Sequence, residues 1–93
     1  MTWETFRTGV VSTAHLPEEL AQYMEESYSG DDPYPQLIFE KLTYGYRIWT
    51  NSDPRSVPAD IRPLIEAAKK EKFKWVEFDC DASELEGFET WDW

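Results

Sequence analysis

The sequence predicts a single α+β domain, and three observations carry that prediction. The chain has 93 residues, which suits one hydrophobic core and leaves no length for a second. Hydrophobic residues make up 41% and aromatics 16%, so the chain is expected to fold despite a formal net charge of -10. Along the chain, apolar residues switch between the alternation of a strand and the spacing of a helix, in the order strand, helix, strand, strand, helix, strand.

Each element rests on its own signals. Phe6 to Ser12, with Val10 and Val11, is β-prone and ends at small polar residues. Pro17 suits the first turn of a helix, Glu18 and Glu19 meet the positive end of its dipole, and Leu16, Leu20, Tyr23 and Met24 form one apolar stripe. That helix is expected from about Pro17 to Ser27. Ser29 to Pro35 is a breaker cluster and reads as a loop. Leu37 to Thr43 and Tyr46 to Thr50 read as a hairpin joined by Tyr44-Gly45.

Asn51 to Pro54 stops the second arm, and Ser56 to Pro58 leads into a helix whose apolar positions are Ile61, Leu64, Ile65 and Ala68, with Pro63 near its first turn. Lys69, Lys70, Lys72 and Lys74 follow Ala68, where positive charge complements the end of the helix dipole. In the last strand, Phe73 to Cys80, alternation puts Val76, Phe78 and Cys80 on the face toward the helices and Trp75, Glu77 and Asp79 on the other. The tail from Asp81 is too aromatic to be free, and Phe88, Trp91 or both are expected to pack back on the sheet, the other outcome being an exposed binding anchor. This order of elements matches the split βαβ, or ferredoxin-like, motif, with two helices on one face of an antiparallel sheet.

Charge is spread unevenly. Glu18, Glu19, Glu25, Glu26, Asp31, Asp32 and Glu40 lie in one block without a basic residue, and Glu77, Asp79, Asp81, Glu84, Glu86, Glu89 and Asp92 lie in another. Such a field repels nucleic acid and membrane surfaces and attracts basic proteins. The start of the chain lacks the basic and apolar regions of a signal peptide, so a cytoplasmic location is expected. Cys80 is the only cysteine, which rules out an internal disulfide and a zinc site built from cysteine pairs.

The candidate chemistry is weak. Ser12 and His15 sit close together, but their spacing supplies neither an orienting third group nor an oxyanion site, and no catalytic residue is expected. Asp79-Cys80-Asp81-Ala82-Ser83 starts like a calcium loop, then places Glu84 where glycine belongs and Thr90 where the bidentate glutamate belongs. No metal and no cofactor are expected. Tyr44 to Trp49 brings aromatics to the third strand, as an RNA platform would, yet Glu77 and Asp79 on the open face would repel phosphates.

The same acids suit a protein partner. Residues two apart on a strand are separated by about 6.8 Å, so Glu77, Asp79 and Asp81 form a carboxylate row, less dense than the duplex value of one charge per roughly 1.7 Å. The sequence therefore points to partial mimicry of a phosphate track. The partner-binding candidates are Glu77, Asp79, Asp81, Glu84 and Glu86, then Glu25, Glu26, Asp31 and Asp32, with Trp75, Trp91 and Trp93 as aromatic anchors. The expected partner is a basic surface of a nucleic-acid-handling protein, and the expected state is a monomer or weak dimer.

Two stretches, Val10 to Glu19 with its Ser-Thr-Ala-His core and Trp75 to the Asp92-Trp93 end, resemble a family of small proteins carried by bacterial phages, plasmids and integrated elements. The resemblance brings no activity with it. It implies a bacterial host and an inhibitor of host defence, of the anti-CRISPR or anti-restriction type, some of which mimic DNA. The reading from another class is a regulatory or structural interaction module whose acidity serves solubility alone.

Overall fold

The computed structural model describes residues 2–26 and 32–93. Its elements are β1 (Arg7–Ser12), a 3-10 turn (Thr13–His15), α1 (Glu18–Glu25), β2 (Phe39–Leu42), β3 (Gly45–Trp49), a second 3-10 turn (Pro54–Ser56), α2 (Arg62–Lys70) and β4 (Phe73–Asp79). The predicted order of strands and helices holds, with boundaries shifted by a residue or two. The end of the first predicted helix, Ser27, lies outside the described residues.

The sheet differs from the split βαβ expectation. Its order is β1-β4-β3-β2, with β1 parallel to β4 and the other two pairs antiparallel. A ferredoxin-like sheet would seat the first strand in the centre beside β3 and leave the last strand at an edge. Here the sheet is mixed and the last strand is central. The central β4 is covered on its helix side, where Val76 and Phe78 are almost wholly buried. On the edge strand β1, Val11 is buried on the helix side and Val10, on the other face, is more than half exposed.

Register then fixes the two faces. Val11 pairs with Phe78, Phe78 with Tyr46, and Val76 with Ile48, so these side chains share one face. Leu20, Ala21, Tyr23 and Met24 of α1 and Leu64, Ile65 and Ala68 of α2 complete one core cluster with them. Both predicted helical stripes are therefore buried. Cys80, expected on this face, lies past the end of β4 and is exposed.

Gly45 is where the hairpin meets β4 most closely. It pairs with Asp79, and a Cβ there would overlap the carbonyl of Phe78, so only glycine lets β3 approach. Thr43 and Tyr44 form the turn, and Gly45 itself begins β3. The tail crosses the end of β1, where Ser12 N–H donates to the Ser83 carbonyl at 3.0 Å and Trp91 N–H to that of Ala14 at 2.8 Å. Of the one or two aromatics expected to pack back, both Phe88 and Trp91 are partly buried against the core.

Candidate uncovered sheet face and its acidic end

On the face opposite the helices, the sheet register sets side chains in rows. Thr8, Trp75 and Trp49 form the first, and Val10, Glu77, Arg47 and Glu40 the second. Ser12, Asp79, Gly45 and Leu42 form the third. Among the described residues no helix covers them. Trp49 meets Trp75 edge-on at 4.9 Å between ring centroids and Phe6 at 5.7 Å. Phe6, Val10 and Ile38 are 54%, 52% and 51% exposed, Val10 at the β1 edge beside Glu77 and Ile38 at the opposite edge next to Trp49.

Arg47 sits among these groups. Its guanidinium carbon lies 4.0 Å from the Trp75 ring centroid, and its Nη2 lies 2.8 Å from Glu40 Oε2, a second contact to the same oxygen coming from Nε. Glu77, its neighbour across β4, has no ion pair among the described residues.

The predicted partner residues do not form one site. Glu77 and Asp79 lie on the uncovered face, and Asp81, Glu84 and Glu86 continue beyond the end of β4 as exposed residues. None of the five has an ion pair among the described residues. Glu25 belongs to the helix side, where its carboxylate meets Lys41 Nζ at 2.6 Å and accepts from the Tyr46 hydroxyl. The Lys41 ammonium, and then the Tyr46 hydroxyl, hold the Glu25 carboxyl below its ordinary value, while burial and the nearby carboxylate push the Tyr46 phenol up to about 12.

Asp32 is also engaged, accepting from the Tyr23 hydroxyl at 2.7 Å and from Tyr34 N–H at 2.8 Å. Glu26 is exposed, and Asp31 lies outside the described residues. The aromatic anchors are split as well. Trp75 stands near the start of β4, while Trp91 and Trp93 lie past the other end of β1, and Trp93 Nε1 donates to the Leu16 carbonyl at 2.8 Å.

Charge is polarised along the strands. Arg7, Lys69, Lys70, Lys72 and Lys74 gather where β1 and β4 begin, and Asp79, Asp81, Glu84 and Glu86 gather where they finish. A seven-residue strand spans about 20 Å, so the two ends are well beyond a Debye length apart. Each end acts on a partner largely by itself.

His15 serves the architecture in a way its sequence position conceals. It is 1% exposed; its Nε2 accepts from Leu85 N–H at 2.8 Å and its Nδ1 faces the Glu89 carbonyl at 2.9 Å. The accepting Nε2 requires the neutral tautomer whose Nδ1–H donates to Glu89. Ser12 Oγ accepts from Ala14 N–H, capping the 3-10 turn. Backbone partners therefore hold both residues of the suspected Ser-His pair. The Asp79, Cys80 and Asp81 side chains approach within 4.8 Å of one another, and the Asx turn in which Asp79 Oδ1 accepts from Asp81 N–H accounts for that proximity.

Among the described residues no helix is long and apolar enough to cross a membrane. No curated protein and no solved structure matches the chain. Residues 8–93, from β1 through the aromatic tail, match the model described as the C-terminal domain of the family of unknown function DUF5983, and the chain belongs to that family.

Proposed function

We propose that this chain is a non-enzymatic binding protein of a bacterial mobile element that docks its acidic end on the basic surface of a nucleic-acid-handling host protein. In that role it inhibits a defence system as a partial DNA mimic. The observation that carries the reading is the grouping of Glu77, Asp79, Asp81, Glu84 and Glu86 at one end of the sheet, unpaired among the described residues, with the lysines at the other end. A net charge of -10 steers such an end toward cationic surfaces. Neither Ser12 nor His15 is free for chemistry, which supports binding over catalysis. A second reading, a regulatory interaction module without inhibitory action, draws support from the exposed apolar side chains of Phe6, Val10 and Ile38.

The test compares two charge-reversal sets, each first shown to fold, in capture of partners from a bacterial lysate with elution by salt. Glu77→Lys, Asp79→Lys and Asp81→Lys together are expected to abolish capture. Glu25→Lys, Glu26→Lys, Asp31→Lys and Asp32→Lys together are expected to weaken it less, because Glu25 and Asp32 already have partners within the chain. Capture that survives the first set unchanged would sink the acidic docking surface.

A further inference from the structure

The uncovered face already holds one arginine. Arg47 rests on the Trp75 indole and takes the Glu40 carboxylate at its edge, so an aromatic surface and a carboxylate together seat a guanidinium. Arg7 repeats half of the pattern, with its guanidinium carbon 4.8 Å from the Phe73 ring centroid. On the other flank of Arg47, the same face offers a second carboxylate beside the same aromatic row. Glu77 adjoins Arg47 on β3 and Val10 on β1, one row from Trp75 and Trp49, and makes no ion pair among the described residues, the Arg47 guanidinium being taken by Glu40. Asp79 stands one row further along.

We infer that this face binds arginine side chains of a basic protein segment, with the guanidinium lying against the Trp49–Trp75 row and bonded to Glu77. The inference rests on the proposed docking of a basic partner and adds the side chain that is read. Charge complementarity selects a cation, and the apolar surroundings select between the two kinds. A guanidinium is planar, weakly hydrated and able to stack while it donates two parallel bonds to a carboxylate. An ammonium is compact and strongly hydrated, and it loses more on leaving water for an aromatic wall. Val10, half exposed and beside Glu77 on β1, then gives the aliphatic part of such an arginine apolar surface to cover.

The experiment titrates the full chain with two synthetic peptides of equal length and charge, one alternating Arg and Gly, the other Lys and Gly. Backbone and indole NMR signals follow the binding. The arginine peptide is expected to bind about three- to tenfold more tightly than the lysine peptide, with the largest shifts at Trp49, Trp75 and Glu77. Glu77→Gln, a mild change at a surface position, is expected to remove most of that preference, and Trp75→Leu to do the same. Equal affinity for both peptides, with binding weakened by reversal of Asp79 and Asp81, refutes the arginine site and leaves acidic docking standing. Shifts centred on α1 or the tail also refute the site. If neither peptide binds at low ionic strength, the arginine site and the docking reading both fall.

Discussion

Replacing His15 by alanine removes a side chain that ties the 3-10 turn after β1 to two points of the tail. The imidazole bonds to Leu85 N–H and the Glu89 carbonyl at 2.8 and 2.9 Å. Leu85 and Glu89 are exposed residues and the two bonds are part-buried, so each bond is taken at its net value of about 1 kcal/mol. Emptying the buried ring's volume adds about 1 to 2 kcal/mol. His15→Ala is therefore expected to cost about 3 to 4 kcal/mol, and His15→Leu, which keeps the volume and loses the bonds, about 2 kcal/mol. Urea unfolding at neutral pH measures both. Hydrogen exchange should show lost protection at the amides of Leu85 and Trp91, the second because its bond to the Ala14 carbonyl depends on the same docking. A cost below about 1 kcal/mol with both amides still protected would refute the assignment of His15 as the tie.

Phe78→Ala should cost about 3 to 5 kcal/mol in the same assay, because Phe78 is 0% exposed at the centre of the sheet. Gly45→Ala should cost about 3 kcal/mol or more and disturb the amide signals of β3 and β4, since the added methyl meets the Phe78 carbonyl rather than a yielding side chain. Tyr46→Phe tests the raised phenol. A group whose pKa rises from 10.0 unfolded to about 12 folded adds stability that is complete below the lower value and is lost as pH climbs to the higher one. The native protein should thus weaken across that alkaline window and Tyr46→Phe should weaken less. Glu25 has the opposite sign: its lowered pKa adds stability that fades in acid, as pH falls through its folded value.

Local periodicity made much of this molecule legible. Alternation in Phe73–Asp79 assigned Val76 and Phe78 to the core and Trp75, Glu77 and Asp79 to the other face, because a strand's side-chain period is a property of the backbone alone. Strand order was not legible, since alternation states which face a residue takes and not which strand lies beside it. The parallel β1–β4 pair depends on contacts between residues far apart in sequence, such as Val11 with Phe78. His15 was unreadable for the same reason, as its partners lie 70 and 74 residues away. The candidate site was half visible. Its acids stood out as a block, whereas the Phe6–Trp49–Trp75 row appears only when β3 and β4 are set side by side. The internal pairing of Glu25 with Lys41 and Tyr46 separates it from the exposed acids it accompanies in the sequence.

The most direct measurement of the central claim is competition. Once a nucleic-acid-handling partner is captured, its complex with this chain is titrated with the nucleic acid that the partner normally holds. Docking through Glu77, Asp79 and the acids beyond β4 predicts mutually exclusive binding, with association of the two proteins slowing as added salt shortens the screening length from about 10 Å toward 3 Å. A ternary complex that takes up nucleic acid at undiminished affinity, with an association rate indifferent to salt, would contradict it.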